Sequence, residues 1–155
     1  MKLRNLTTTI ALVLAAGAGT MTLMRTGSVA ASNAQTGQFH IAKNCASYAG
    51  GPGSFCTITS SNLPQIPAGA VVYYDQAAGD PQGMLDSNVV LFVGTGNWAT
   101  GRCTLDLSTG SGLCTFSDGT GALAGFSARV NVTPFPDFVN YHWDGTYAFN
   151  PLPPK

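Results

Sequence analysis

Close to its C-terminus the chain reads Tyr141-His-Trp-Asp-Gly-Thr-Tyr147, so His142 and Asp144 alternate with aromatic residues. An imidazole beside a carboxylate can be held in one tautomer and used for acid–base work. No Ser or Cys can be assigned beside them as a nucleophile, and residues two apart on a strand share a face without having to touch, so surface polarity is the plainer reading. Arg129, with Ser127 and Asn131, occupies the polar positions of Phe126-Ser-Ala-Arg-Val-Asn-Val132. Facing outward it is a solvated arginine; facing inward it would need carboxylate or phenol partners and would mark a pocket. Tyr73 and Tyr74 are consecutive, so on a strand at least one of them points inward. An inward tyrosine is either core with a satisfied hydroxyl or a group that hydrogen-bonds or protonates a ligand oxygen. The pocket candidates are therefore Tyr73, Tyr74, Arg129, His142 and Asp144; catalytic residues are not assignable, and no cofactor is expected. Arg102 and Asp106, four apart, read as a surface pair, and Asp75, Asp80 and Asp86 as turn formers.

The four cysteines carry a second kind of chemistry. Cys45 and Cys56 are eleven apart, as are Cys103 and Cys114. A two-residue turn at Ser108-Thr109 would put Cys103 opposite Cys114, and Cys45 and Cys56 are symmetric about Gly50-Gly51, a strong hairpin signal. Cross-strand neighbours have their Cβ atoms near disulfide distance, so of the three possible connectivities the pairs 45–56 and 103–114 are expected. A zinc site would want closely spaced Cys pairs or neighbouring His, and His40 and His142 have no Cys near them, so no metal is expected.

Composition narrows the class. Charged residues make up 9% of the 155, all seven acids are Asp, and 19 residues are Gly. Helical bundles use charged helix formers on their exposed faces, and nucleic-acid binders need a basic stripe; neither is present. Lys2 and Arg4 precede the apolar block Ile10–Ala16, and small residues at cleavage spacing follow in Ser28-Val-Ala30 and Ser32-Asn-Ala34. This is the pattern of a signal peptide over residues 1–30, cleaved after Ala30 or Ala34. The alternative is an uncleaved anchor, since Leu6–Met24 is uncharged over about one membrane span. After cleavage Lys43, Arg102, Arg129 and Lys155 face seven Asp, a net charge of −3. The expectation is a secreted, mildly acidic protein with no stable membrane insertion once the leader is gone. The sequon Asn131-Val-Thr133 would matter only in a eukaryotic secretory pathway.

The elements that must position these groups are strands. Segments of β-type composition fall at 38–43, 55–60, 70–75, 87–93, 98–107, 113–117, 123–133 and 141–149, separated by turn residues and without a convincing helix. Eight regularly spaced strands indicate an all-β closed antiparallel barrel over residues 38–150 or a sandwich, and closure removes the edges that a low-charge sequence cannot protect. A flexible segment 31–37 precedes the domain and a tail 151–155 follows. Val89–Val93 is apolar on both faces, which suits a central strand or a subunit contact. Trp98 and Trp143 are expected to close the barrel ends. Gly94-Thr-Gly-Asn-Trp-Ala99 recurs as Gly119-Thr-Gly-Ala-Leu-Ala124; with no helix after either copy, the glycines are turn formers rather than a dinucleotide fingerprint.

Gly79-Asp-Pro-Gln-Gly-Met-Leu-Asp86, the strand ending Phe92-Val-Gly-Thr-Gly96, and Asp118-Gly-Thr-Gly-Ala-Leu-Ala-Gly-Phe126 together resemble the allene oxide cyclase and dirigent barrel group. The similarity runs in order from about Phe39 to Phe149 and is nearest to a bacterial, secreted branch. It implies an eight-stranded calycin-like barrel, commonly trimeric, with cofactor-independent cyclase or isomerase chemistry. Dirigent-type barrels line their pocket with an Arg just after the second GTG turn and an Asp on the first strand. Here Ala122-Leu-Ala-Gly-Phe-Ser127 has no Arg before Arg129, and Phe39-His-Ile-Ala-Lys43 has no acid. Three readings follow: a barrel binding a small apolar ligand, expected first; a cyclase or isomerase acting on a small hydrophobic substrate; and an extracellular structural or interaction module with a filled barrel.

Overall fold

The computed structural model describes residues 34–150. The leader expected at 1–30 and the tail 151–155 lie outside the described residues, and Gln35–Gly37, expected to belong to a flexible segment, instead begin the first strand by pairing with Phe149, Ala148 and Tyr147. Eight strands follow one another: β1 (Gln35–Asn44), β2 (Phe55–Ser61), β3 (Val71–Tyr74), β4 (Met84–Gly94), β5 (Asn97–Asp106), β6 (Ser111–Ser117), β7 (Phe126–Pro134) and β8 (Asn140–Phe149). Each pairs antiparallel with the next, and β8 returns to β1 in a ten-residue register from Gln35–Phe149 to Asn44–Asn140, which closes the barrel. The expected fold class is the observed one.

Period-two alternation decides what lies inside. Phe39, Ile41 and Lys43 of β1, Cys56 and Ile58 of β2, Val72 and Tyr74 of β3, and Leu85, Ser87, Val89 and Leu91 of β4 are all buried. The other half of the interior comes from Ala99, Cys103 and Leu105, Cys114 and Phe116, Phe126, Val130 and Val132, and Trp143. His40, Asn88, Arg102, Thr104, Arg129, Asn131, His142 and Asp144 point outward. Apolar in and polar out is the reverse of a lipid-facing barrel. The interior is consequently packed: Phe116 lies 5.2 Å from Trp143 and Phe39 lies 5.8 Å from Phe126, ring centre to ring centre.

Such tight coiling needs a close backbone approach at Gly145, where an added Cβ would sit 2.0 Å from the Arg129 carbonyl oxygen. Ser87, polar yet wholly buried, is satisfied: its hydroxyl donates to the Asn88 carbonyl (2.7 Å) and accepts from the Asp75 and Gln76 amides. That ties the loop after β3 to the wall.

Both expected disulfides are present, Cys45–Cys56 and Cys103–Cys114, and Cys103 stands opposite Cys114 in the β5–β6 register. Their symmetry was legible, but the first turn was not: residues 45–54 form a ten-residue loop rather than a two-residue hairpin at Gly50-Gly51. Asn44 and Phe55 are already the strand ends. The second connection, 107–110, is four residues long, and Asp106 shapes it by accepting from the Ser108 amide and hydroxyl. Arg102 therefore does not pair with Asp106; it reaches across to Asp86 on β4 at 2.7 Å. The strand expected from Leu123 starts at Phe126, because a short 3₁₀ turn over Gly121–Leu123 and the left-handed Gly125 (φ 76°) come first. Trp143 is fully buried inside the barrel, while Trp98 lies on the outer surface.

The two GTG turns dock on each other at one end of the barrel. Thr120 donates its hydroxyl to the Gly96 carbonyl (3.0 Å) and its amide to the Trp98 carbonyl (2.8 Å); the Ala122 amide donates to Asn97 Oδ1 (2.7 Å). The sequence echo is thus a spatial pair.

Candidate functional site: a lysine pocket at the loop end of the barrel

At the opposite end, the loops 45–54, 107–110 and 135–139 surround the ends of β1, β3, β5 and β8. A cavity of about 90 Å³ opens there, lined by Lys43, Tyr48, Tyr74 and Tyr141, the Cys45–Cys56 disulfide, Leu85, Leu105, Leu107 and Phe138. Its floor is set by β1. Lys43 follows Phe39 and Ile41 at spacing two, so the strand aims it inward although it is a cation. A bulge on β2 keeps this consistent: Ala42 faces Ser60 while Lys43 faces Ile58, leaving Thr59 as the extra residue. Without it the inward side chains of β2 would not oppose those of β1.

Lys43 is 1% exposed. Its Nζ donates to the Tyr74 hydroxyl at 2.5 Å and lies 4.5, 5.2 and 5.5 Å from the ring centres of Trp143, Tyr74 and Tyr141. Among the described residues the two ion pairs, His40–Asp144 and Arg102–Asp86, lie elsewhere, so aromatic faces rather than a carboxylate surround this amine. Burial pushes the Lys43 pKa down to about 7. Burial pushes the Tyr74 hydroxyl up, with Tyr48 and Tyr141 adding to the shift, so it stays a protonated donor. In the loop 135–139 the Asp137 carboxylate accepts from the Val139 and Asn140 amides and from the Asn140 side chain, and is held below the ordinary carboxylate range by them.

Those hydrogen bonds build the rim. They fix the turn that carries Phe138 in a left-handed conformation (φ 52°), uncommon for an aromatic residue. Tyr141 donates its hydroxyl to the Phe138 carbonyl (3.1 Å), and the Cys45 amide donates to the Val139 carbonyl (2.8 Å), locking rim to floor. Phe138 and Leu107 remain 53% and 42% exposed, an apolar lip beside the opening. Tyr48 packs edge-on against Tyr74 at 5.2 Å. Two buried polar atoms here, the Tyr48 hydroxyl and Trp143 Nε1, find no hydrogen-bond partner among the described residues. Buried polar atoms are normally paired, so an amine with one partner and two unpaired donors are costly unless something else occupies the site.

Of the five pocket candidates, only Tyr74 lies in this cavity. Tyr73 points outward, 43% exposed, against Phe55. Arg129, His142 and Asp144 share the outer face of β7 and β8, where His142 packs on Phe135 at 4.2 Å. Asp144 does hold an imidazole, but it is that of His40, directly across the β1–β8 register, at 2.7 Å and in solvent. Lys43 was missed, although its position two residues after Ile41 in an alternating strand is a sufficient signal for an inward lysine. No protein-family model, curated protein or solved structure matches this chain. Among the described residues no group of three metal-binding side chains converges.

Proposed function

We propose that the protein is an exported β-barrel that binds a small, largely apolar molecule carrying an oxygen acceptor. The ligand enters at the loop end of the barrel, not its centre, because aromatic and aliphatic side chains fill the centre. Its oxygen meets Lys43 Nζ and the Tyr74 and Tyr48 hydroxyls, and its apolar part lies against Leu107 and Phe138. The observation that carries this reading is the fully buried Lys43 amine, with Tyr74 as its one hydrogen-bond partner among the described residues, beside a cavity. A cavity of about 90 Å³ is well below the several hundred Å³ of drug-sized sites, so the ligand is a few heavy atoms or the head of a longer chain.

The two disulfides fit an oxidising compartment, and export follows from the leader pattern. Kinship with the allene oxide cyclase and dirigent barrels is part of the proposal, supported by the closed eight-strand meander and the docked GTG turns. The trimer implied by that resemblance enters on the same terms, with the exposed side chains Tyr73, Val90 and Trp98 of β3, β4 and β5 as its contact face.

A panel of short-chain alcohols, aldehydes, ketones and carboxylates, screened by thermal shift against wild type and Lys43→Met, tests the binding reading. Stabilisation of the wild type that the variant loses supports it; no stabilisation by any compound overturns it. The second reading, a filled extracellular scaffold, is favoured by the packed interior around Trp143 and would be the survivor.

A further inference from the structure

We propose that Lys43 captures small aldehydes or ketones covalently, as an imine, with Tyr74 as the proton donor at the reacting oxygen. This rests on the binding reading above and names its substrate class. Three features place an amine, an acid and a carbonyl-sized space together. Lys43 and Tyr74 both line the cavity, and Nζ is within hydrogen-bond distance of the phenolic oxygen. The facing residues from every side, Tyr48, Tyr74, Tyr141 and Trp143, bring phenols and indole but no carboxylate to hold the amine charged. Burial supports the same end, since a desolvated lysine is neutral, and therefore nucleophilic, far below the ordinary lysine range.

The step balances without an oxidant. The nitrogen lone pair forms a bond to the carbonyl carbon while the C=O π pair moves to oxygen. Tyr74 supplies a proton to that oxygen and recovers one from nitrogen, giving the carbinolamine. Tyr74 then gives its proton to the hydroxyl, water leaves as the nitrogen lone pair forms C=N, and the resulting iminium returns its N–H proton to the Tyr74 phenolate. Amine and carbonyl become imine and water. The phenol suits this role because it stays protonated, and the apolar walls disfavour the water that would reverse the condensation.

The chain makes the test unusually clean, because its lysines are Lys2, Lys43 and Lys155, of which Lys2 belongs to the expected leader. The folded, disulfide-intact protein is incubated at neutral pH with propanal and cyanoborohydride, and peptides are mapped by mass. The expected result is propylation of Lys43 at least tenfold faster than of Lys155 in the same sample, with that preference lost in urea. Tyr74→Phe should slow Lys43 labelling severalfold relative to Lys155. Labelling of Lys43 no faster than Lys155 overturns the proposal, and needs no variant to fold. Propanol, which cannot form an imine, separates the two claims: if it stabilises the wild type while propanal fails to label Lys43, the imine is wrong and the binding reading stands. If propanol and propanal both leave the protein unchanged, the imine falls with it.

Discussion

Lys43 and Tyr74 meet although their strands are not neighbours. Lys43 is on β1 and Tyr74 on β3, with β2 between them, yet Nζ and the phenolic oxygen are 2.5 Å apart inside the barrel. The contact therefore spans the curve of the wall and ties together the two strands that flank the Cys56 strand. Cys56 Sγ itself lies 3.9 Å from the same hydroxyl. One buried polar contact joins the disulfide, the barrel wall and the cavity.

The lysine should impose a pH dependence on stability. Its pKa falls from 10.5 to about 7 on folding, so between those values the unfolded chain binds more protons than the folded one. Stability therefore rises with pH across that window, by up to about 5 kcal/mol if nothing relaxes. The buried Tyr74 and the half-buried Tyr48 and Tyr141 act oppositely: all three are raised, so stability falls once the unfolded phenols ionise above their ordinary value of 10.0. Urea unfolding of the wild type should show a maximum between pH 8 and 10 by this reasoning, roughly. Lys43→Met should flatten the acid side of the curve and be more stable than wild type at pH 6, a value at which the wild-type amine is charged. A wild-type curve already flat between pH 6 and 9, or a variant with the same slope, contradicts the buried amine.

Tyr74→Phe removes the hydrogen-bond partner of Lys43 while keeping the ring. The amine is left unpaired in the interior, which costs about 1–3 kcal/mol. The double variant Lys43→Met/Tyr74→Phe should recover part of that loss, since both polar groups are then gone. Urea midpoints of the four proteins give the coupling directly; additive losses would mean that the two side chains do not interact.

Gly145 should tolerate no side chain. A Cβ there would meet the Arg129 carbonyl oxygen at 2.0 Å and the Val130 backbone at 2.8 Å. Gly145→Ala must push β7 and β8 apart and should cost several kcal/mol or abolish folding. Gly51→Ala, in the open loop with nothing within 4 Å, should stay within about 0.5 kcal/mol of wild type. Equal thermal stability of the two variants would contradict the close strand approach.

Loss of either disulfide is expected to destabilise, but with different consequences for the site. Each bridge closes a loop of eleven residues and is worth about 2–4 kcal/mol. Cys103–Cys114 is buried between β5 and β6, so its Ala pair should weaken folding while leaving ligand selectivity intact. Cys45–Cys56 walls the cavity, so its Ala pair should also change which compounds bind. Thermal shift with the ligand panel distinguishes the two; identical ligand profiles would remove the disulfide from the pocket.

The barrel was readable because its signals are local. Turn glycines, short alternating strands and equal cysteine spacing each act over a few residues, and together they place all eight strands to within a few positions. What failed depends on registers that cross the chain. Arg102 finds Asp86 rather than Asp106, because strand pairing sets its partner; His142 and Asp144 are surface residues, as the plainer reading had them, and the imidazole that Asp144 holds is that of His40 across the register. The bulge at Thr59 and the loop 45–54 are likewise invisible to a symmetric hairpin argument. Tyr74 was reachable because one of two consecutive residues must face inward. Lys43 obeyed the same alternation, but a rule that sends charges outward hid it.

The most direct test of the lysine pocket is a backbone and side-chain NMR titration of the folded domain with the short-chain oxygenated panel. At least one compound should shift Lys43, Tyr48, Tyr74, Leu107, Phe138 and Tyr141 together, saturably, and leave the outer face around Arg129 and His142 unmoved. Shifts confined to that outer face, or none at millimolar concentration, would contradict it.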